Sequence, residues 1–127
     1  MRHIERVLRW TSACLVIVVV AAACASLPPA KSVTSVSQIA GKWQGSGSGP
    51  TGTSAVTTTI NPDGSFTSVI GAQTFTGKIT MVDGKLRGRG DQTGNTGTWA
   101  LHEGEGKSVL VYKSDDGRVG AELTPAR

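Results

Sequence analysis

The chain predicts an all-β domain, a small eight-stranded antiparallel up-and-down barrel, behind an N-terminal signal helix. Three observations carry that prediction. From Ile39 onward apolar and polar residues alternate with period two, and no helical period is present. Glycine is abundant, 17 of 127 residues, and each glycine costs a helix about 1 kcal/mol relative to alanine. Turn signals recur at the spacing of short strands joined in sequence.

The first element is the leader. Arg2, Arg6 and Arg9 precede an uncharged apolar run, Leu15 to Cys24 (LVIVVVAAAC), that ends in three alanines before a cysteine. Residues 1–23 read as a signal peptide on that pattern. The block Ala21-Ala22-Ala23-Cys24 resembles the lipobox of bacterial lipoproteins, with Ala21 standing where that family prefers leucine. The resemblance implies cleavage between Ala23 and Cys24, a thioether-linked diacylglycerol on Cys24 and an acyl chain such as palmitate on its amine. Each buried methylene contributes about 0.8 kcal/mol, so two or three chains anchor a protein stably where one does not. The implied address is the bacterial envelope, facing the periplasm. The outer membrane is expected rather than the inner, because Ala25 and not aspartate follows Cys24. Two alternatives stay open: an ordinary secretory cleavage after the alanines, and an uncleaved helix through the uncharged stretch from Trp10 to Ala30. Cys14 would leave with the leader, so a lipidated mature chain keeps no thiol for a disulfide or a metal.

Residues 24–38 are small, polar and proline-containing, without periodicity, and are expected to be a flexible tether. The domain is then 39–127, long enough for a single modest core. Removing Arg2, Arg6, Arg9 and Glu5 with the leader leaves ten Lys and Arg against eight Asp and Glu, a net charge of +2. That balance, without a clustered basic footprint, excludes nucleic acid as an expected partner. The domain is read as a monomer.

Within the domain the clearest strand is Thr74 to Val82. Phe75, Gly77, Ile79 and Met81 share one face, and Thr74, Thr76, Lys78 and Thr80 share the other. Asp83-Gly84 is a type I′ hairpin signal, and after it Leu86, Gly88 and Gly90 face inward while Lys85, Arg87, Arg89 and Asp91 face out. The same alternation marks Val56, Thr58 and Ile60, then a turn at 61–64 and Phe66, then Gly97, Trp99 and Leu101. Strands at Ser108 to Tyr112 and at Val119 to Leu123 follow, each after a glycine turn. With the strand around Trp43 the count is eight. Gly45 to Gly52 (GSGSGPTG) is expected to be the longest connection and a candidate lid. Closing eight sequential strands removes both exposed edges, and a barrel of that size is filled by side chains or holds one small ligand.

Gly41-Lys42-Trp43 resembles the G-x-W start of lipocalins and related calycin barrels. The resemblance implies a lipocalin-like barrel whose floor is closed by Trp43, with Arg118 or, less closely, Arg127 lying across the indole as a cation–π partner worth about 0.5–2 kcal/mol.

Candidate sites are few. His102 is the one histidine of the mature chain and stands beside Glu103. Adjacent strand residues point to opposite faces, so a catalytic dyad is not expected. The turns at Asn61 to Gly64 and Asp115 to Gly117 lack the regular oxygen spacing of a calcium loop. Lys85, Arg87 and Arg89 form a possible basic surface. The expected function is therefore non-catalytic, without cofactor or metal: binding of a small apolar ligand or lipid, or an interaction role. The alternative is inhibition of a peptidase or other hydrolase. Bacterial peptidase inhibitors of similar short-barrel form present their N-terminal arm to the enzyme.

Overall fold

The computed structural model describes residues 27–126; the leader, Ala23, Cys24 and Arg127 lie outside them. Eight strands follow one another: β1 (Gly41–Gly49), β2 (Gly52–Ile60), β3 (Ser65–Ile70), β4 (Gln73–Val82), β5 (Lys85–Gly90), β6 (Thr96–Gly104), β7 (Lys107–Ser114) and β8 (Gly120–Pro125). Each pairs antiparallel with the next, and β8 returns to β1, so the sheet closes as an up-and-down barrel. Two hairpins turn on paired left-handed residues, Asp83 (φ 51°) with Gly84 (φ 76°) and Glu105 (φ 52°) with Gly106 (φ 75°). Two positive φ values in succession match the right-handed twist of the flanking strands.

The stretch expected to be a long loop is instead strand. Residues Gly45 to Gly49 continue β1, paired with Val56 to Gly52 on one side and, from Gly45 to Ser48, with Leu123 to Gly120 on the other. Only Pro50 and Thr51 form the turn. The glycines there serve close approach: a Cβ on Gly45 would overlap the carbonyl oxygen of Glu122, and one on Gly47 would come within 2.9 Å of Val56 Cγ2. A glycine-rich run reads as a loop in sequence, yet here it is where the two ends of the sheet join.

The interior divides in two. Its lower half is packed with Ile60, Ile79, Leu86, Leu101, Leu110 and Leu123, all almost wholly shielded from solvent. Trp43 lies at this end, and its indole N–H donates to the Ile39 carbonyl at 2.9 Å. The upper half is hollow and open, with aromatic side chains and glycines along its wall.

The lower end is sealed by residues that the sequence assigns to a tether. β5 pairs with β6 only over Thr96–Trp99, which leaves Leu101 to Glu103 with a free edge. Residues 29–31 take that place. Lys31 N donates to Leu101 O at 2.8 Å, Glu103 N donates to Pro29 O at 3.1 Å, and Ala30 bridges to His102. A Lys31–Glu103 ion pair at 3.2 Å lies outside the bridge. The chain then drops Val33 into the core and forms a 3₁₀ turn, Val36–Ile39, with a reciprocal cap between Ser35 and Gln38. Ile39 is fully buried. The domain therefore begins near Pro28, not at residue 39. This strap has no periodicity because its residues cover an edge and a floor in turn and follow no single face.

If the strap is structural, Val33→Ala should lower unfolding stability by about 1–2 kcal/mol, the loss of two buried methyl groups. A residue in a free tether would change it by less than about 0.5 kcal/mol; urea denaturation distinguishes the two.

Candidate functional site

The open end is ringed by the turn at Pro50–Thr51, the turn at Gly71–Ala72 and the connections 91–95 and 115–119. Beneath them lies a cavity of about 380 Å³, toward the small end of the range of small-molecule sites, about 300–1,000 Å³. Its walls are mainly apolar, with Val56, Phe66, Ile70, Phe75, Trp99 and Tyr112 among them.

Glycine opposite aromatic is the device that shapes these walls. Phe66 on β3 lies over Gly77 of β4, Trp99 on β6 over Gly88 of β5, and Tyr112 on β7 over Gly97 of β6. A Cβ on any of the three glycines would come to about 2.5 Å from the ring above it. Each ring therefore lies down against the neighbouring strand and leaves the barrel axis open. Trp99 also touches the other two rings: Phe66 meets it edge-on at 5.7 Å and 64°, and Tyr112 meets it at 4.8 Å and 48°. Such pairs contribute about 0.5–1.5 kcal/mol beyond area burial.

Polar groups on the lining are sparse. Thr58 and Ser68, both buried, hydrogen-bond to each other through their hydroxyls at 2.8 Å. The Trp99 indole N–H is buried and has no hydrogen-bond partner among the described residues. Charge is confined to the mouth, where Arg89 and Asp116 are exposed.

The basic residues of β5 separate into three situations. Lys85 is exposed at the closed end. Arg87 is held in a fork by both carboxylate oxygens of Asp115, with Nη1 at 2.8 Å from Oδ1, and also donates to Thr98 Oγ1. Asp115 further accepts from Thr96 Oγ1, and its own N–H donates to Thr96 O. The network fastens connection 115–119 to β5 and β6, so Arg87 fixes the rim and is not a free cation. Arg87 and then Thr96 hold the Asp115 carboxyl down to about 2. Arg89 alone of the three lines the cavity mouth.

The expected pair Trp43 and Arg118 is not brought together. Trp43 pairs with Pro125 at the closed end, whereas Arg118 lies two residues before Gly120, which pairs with Ser48 at the open end. Arg118 is exposed in the turn, its N–H on Asp116 Oδ1. The floor is closed by the strap beneath Trp43 in place of an arginine across its face. His102 faces the strap, its Nδ1 donating to the Pro28 carbonyl at 3.0 Å, while Glu103 pairs with Lys31. The two do not form a dyad.

The remaining carboxylates of the turns serve their own loops. Asp63 accepts from the side chain and backbone of Ser65, which lowers its carboxyl; Asp116 accepts from Ser114 Oγ and Arg118 N, with the same effect. Among the described residues no group of three or more His, Cys, Asp or Glu side chains is placed to share a metal, and no helix is long and apolar enough to cross a membrane.

Inward positions 56, 58, 66, 75 and 99 follow from alternation. The Thr58–Ser68 bond and the unpartnered indole do not, because they depend on register between strands. The chain matches no family model, no curated protein and no solved structure.

Asp115 titrates near 2 in the folded state against about 3.9 unfolded. Its depressed folded value means that its stabilising contribution is complete above the unfolded value and is lost as pH falls through the folded one. Asp115→Asn should therefore flatten the Tm-against-pH curve between about pH 4 and pH 2, with Tm read by circular dichroism at each pH.

Proposed function

We propose that this domain is a non-catalytic carrier or sensor that holds one small, largely apolar molecule in the open half of its barrel. We propose further that lipid on Cys24 anchors it in the bacterial envelope. The observation that carries the binding reading is the division of the interior: one half filled with aliphatic side chains, the other left hollow although the same strands run through both. A barrel of eight strands can be filled throughout. Here glycines 77, 88 and 97 draw three aromatic rings back to the wall and keep the hollow open. His102 is engaged with the strap and offers no catalytic partner. The anchor reading draws on the leader alone.

Inhibition of a hydrolase gains less support. The N-terminal arm that such an inhibitor would present is paired along β6 from Pro29 to Lys31 and buried at Val33 and Ile39.

Native mass spectrometry of the protein taken from its host membranes should show a bound mass of a few hundred daltons. Ala121 lines the cavity, and Ala121→Phe should fill it and remove that mass while the fold is kept. A wild-type protein always free of ligand, with no stabilisation by apolar dyes at concentrations far above micromolar, would sink the binding reading. Cys24→Ser should move the protein from the membrane to the soluble fraction, and continued membrane partition would count against the lipid anchor.

A further inference from the structure

The binding reading leaves the shape of the guest open, and the two sides of the hollow restrict it. One side is a belt of rings. Phe66, Trp99 and Tyr112 reach over β4, β5 and β6 in turn, each across a glycine of the strand it covers, and Trp99 touches the other two. Phe75 on β4 adds a fourth ring to the lining. Trp99 is only 5% exposed and backs the belt from between its neighbours. Phe66, Phe75 and Tyr112 are half-buried and line the cavity, so they present ring surface that a guest can touch.

The other side is nearly bare. In the closed order of eight strands β1 stands four strands from β5 in either direction, and so lies across the axis from the middle of the belt. It gives the lining Gly47 and Gly49, and β8 beside it gives Gly120 and Ala121. Gly47 has no room for a larger residue, since a Cβ there would come within 2.9 Å of Val56 Cγ2. The hollow is thus a gap with rings on one side and little more than backbone on the other.

The gap is also shallow. On β8 the lining runs from Leu123 at the floor to Gly120 at the rim, three residue steps that make a wall about 10 Å high. On β2 it runs further, from Thr58 to Gly52, so the mouth is cut obliquely. The acyl chain of a membrane lipid spans half a hydrocarbon core, about 15 Å, and would be enclosed on all sides for only part of its length. A fused aromatic ring system is shorter and broader. It also gains from stacking on the rings beyond the area it buries, which an alkyl chain does not. Deep in the hollow Thr58 and Ser68 are bonded to each other, and the charged lining residues Arg89 and Asp116 are exposed at the mouth. The interior therefore favours an apolar body without a buried charge.

From this shape we propose that the hollow selects a planar aromatic ring system over an acyl chain, with one face of the guest on Phe66, Phe75 and Tyr112 and the other toward the glycines of β1. That choice rests on the binding reading above. The rings supply the selectivity, and the bare strand sets the width of the gap.

Three alcohols of equal carbon number test it on the purified, unmutated protein: 2-naphthalenemethanol, decahydro-2-naphthalenemethanol and 1-undecanol. Each affinity, measured by calorimetry, is scaled by the octanol–water partition of the probe so that plain hydrophobicity cancels. The scaled affinity of the aromatic probe should exceed both others about two- to twelvefold, the ratio one aromatic pair supplies. Its ring current should shift the ring protons of Phe66, Phe75 and Tyr112 in NMR spectra. Phe75→Leu keeps an apolar side chain and leaves the contacts of Trp99 with Phe66 and Tyr112 in place; it should reduce the advantage of the aromatic probe and leave 1-undecanol binding unchanged. Equal scaled affinity for the aromatic probe and either saturated one would overturn the choice of a planar guest and leave the binding reading standing. Tightest scaled binding of 1-undecanol would overturn it in favour of an acyl chain. If none of the three binds at millimolar concentration, the binding reading fails and the choice with it. The comparison on unmutated protein decides the matter even if Phe75→Leu does not fold.

Discussion

The seam between β1 and β8 is the constraint on which the rest depends. Register there runs from Trp43 opposite Pro125 to Ser48 opposite Gly120, and it converts an open meander with two bare edges into a cylinder. Closure at so small a circumference forces the first strand to bend hard against the last. Gly45 and Gly47 allow it because neither has room for a Cβ: one would collide with the backbone of Glu122, the other with Val56. The same strand carries Trp43 below and glycines above. It therefore contributes bulk to the floor and almost nothing to the upper wall, and the closing strand itself sets the boundary between packed and hollow halves.

Above that boundary the architecture repeats one local arrangement three times. An aromatic ring on one strand occupies the space over a glycine on the next, at Phe66 with Gly77, Trp99 with Gly88 and Tyr112 with Gly97. The arrangement covers bare backbone in three places and so stabilises the sheet, and it also turns each ring broadside to the axis. Packing and site formation here share one cause. The rim is held separately, by the Arg87 and Asp115 fork that binds connection 115–119 to the sheet.

Strand order and most inward positions were legible in the sequence because alternation is a local signal; Ile79, Leu86, Trp99 and Leu101 all lie where period two places them. The type I′ turn at Asp83-Gly84 was legible for the same reason. Three features were not. The run GSGSG looks like a linker to any local reading, and its role as a strand depends on the partners it meets on both sides. Residues 28–38 look like a tether because Pro28, Pro29 and the serines are read alone; what recruits them is the edge of β6 that the shorter β5 leaves bare. The pairing of Trp43 with Arg118 followed from a resemblance, and here the two lie at opposite ends of the barrel because β8 starts at the mouth.

The strap also limits how this domain can stand. Between Cys24 and Pro28 only three residues intervene, and four Cα–Cα steps reach at most about 14 Å. Were Cys24 acylated as proposed, the plugged pole of the cylinder would rest near the lipid headgroups and its vestibule would point outward into the aqueous compartment. Guest molecules would then have to arrive and depart through water or through a docking protein, with no direct passage from the leaflet below.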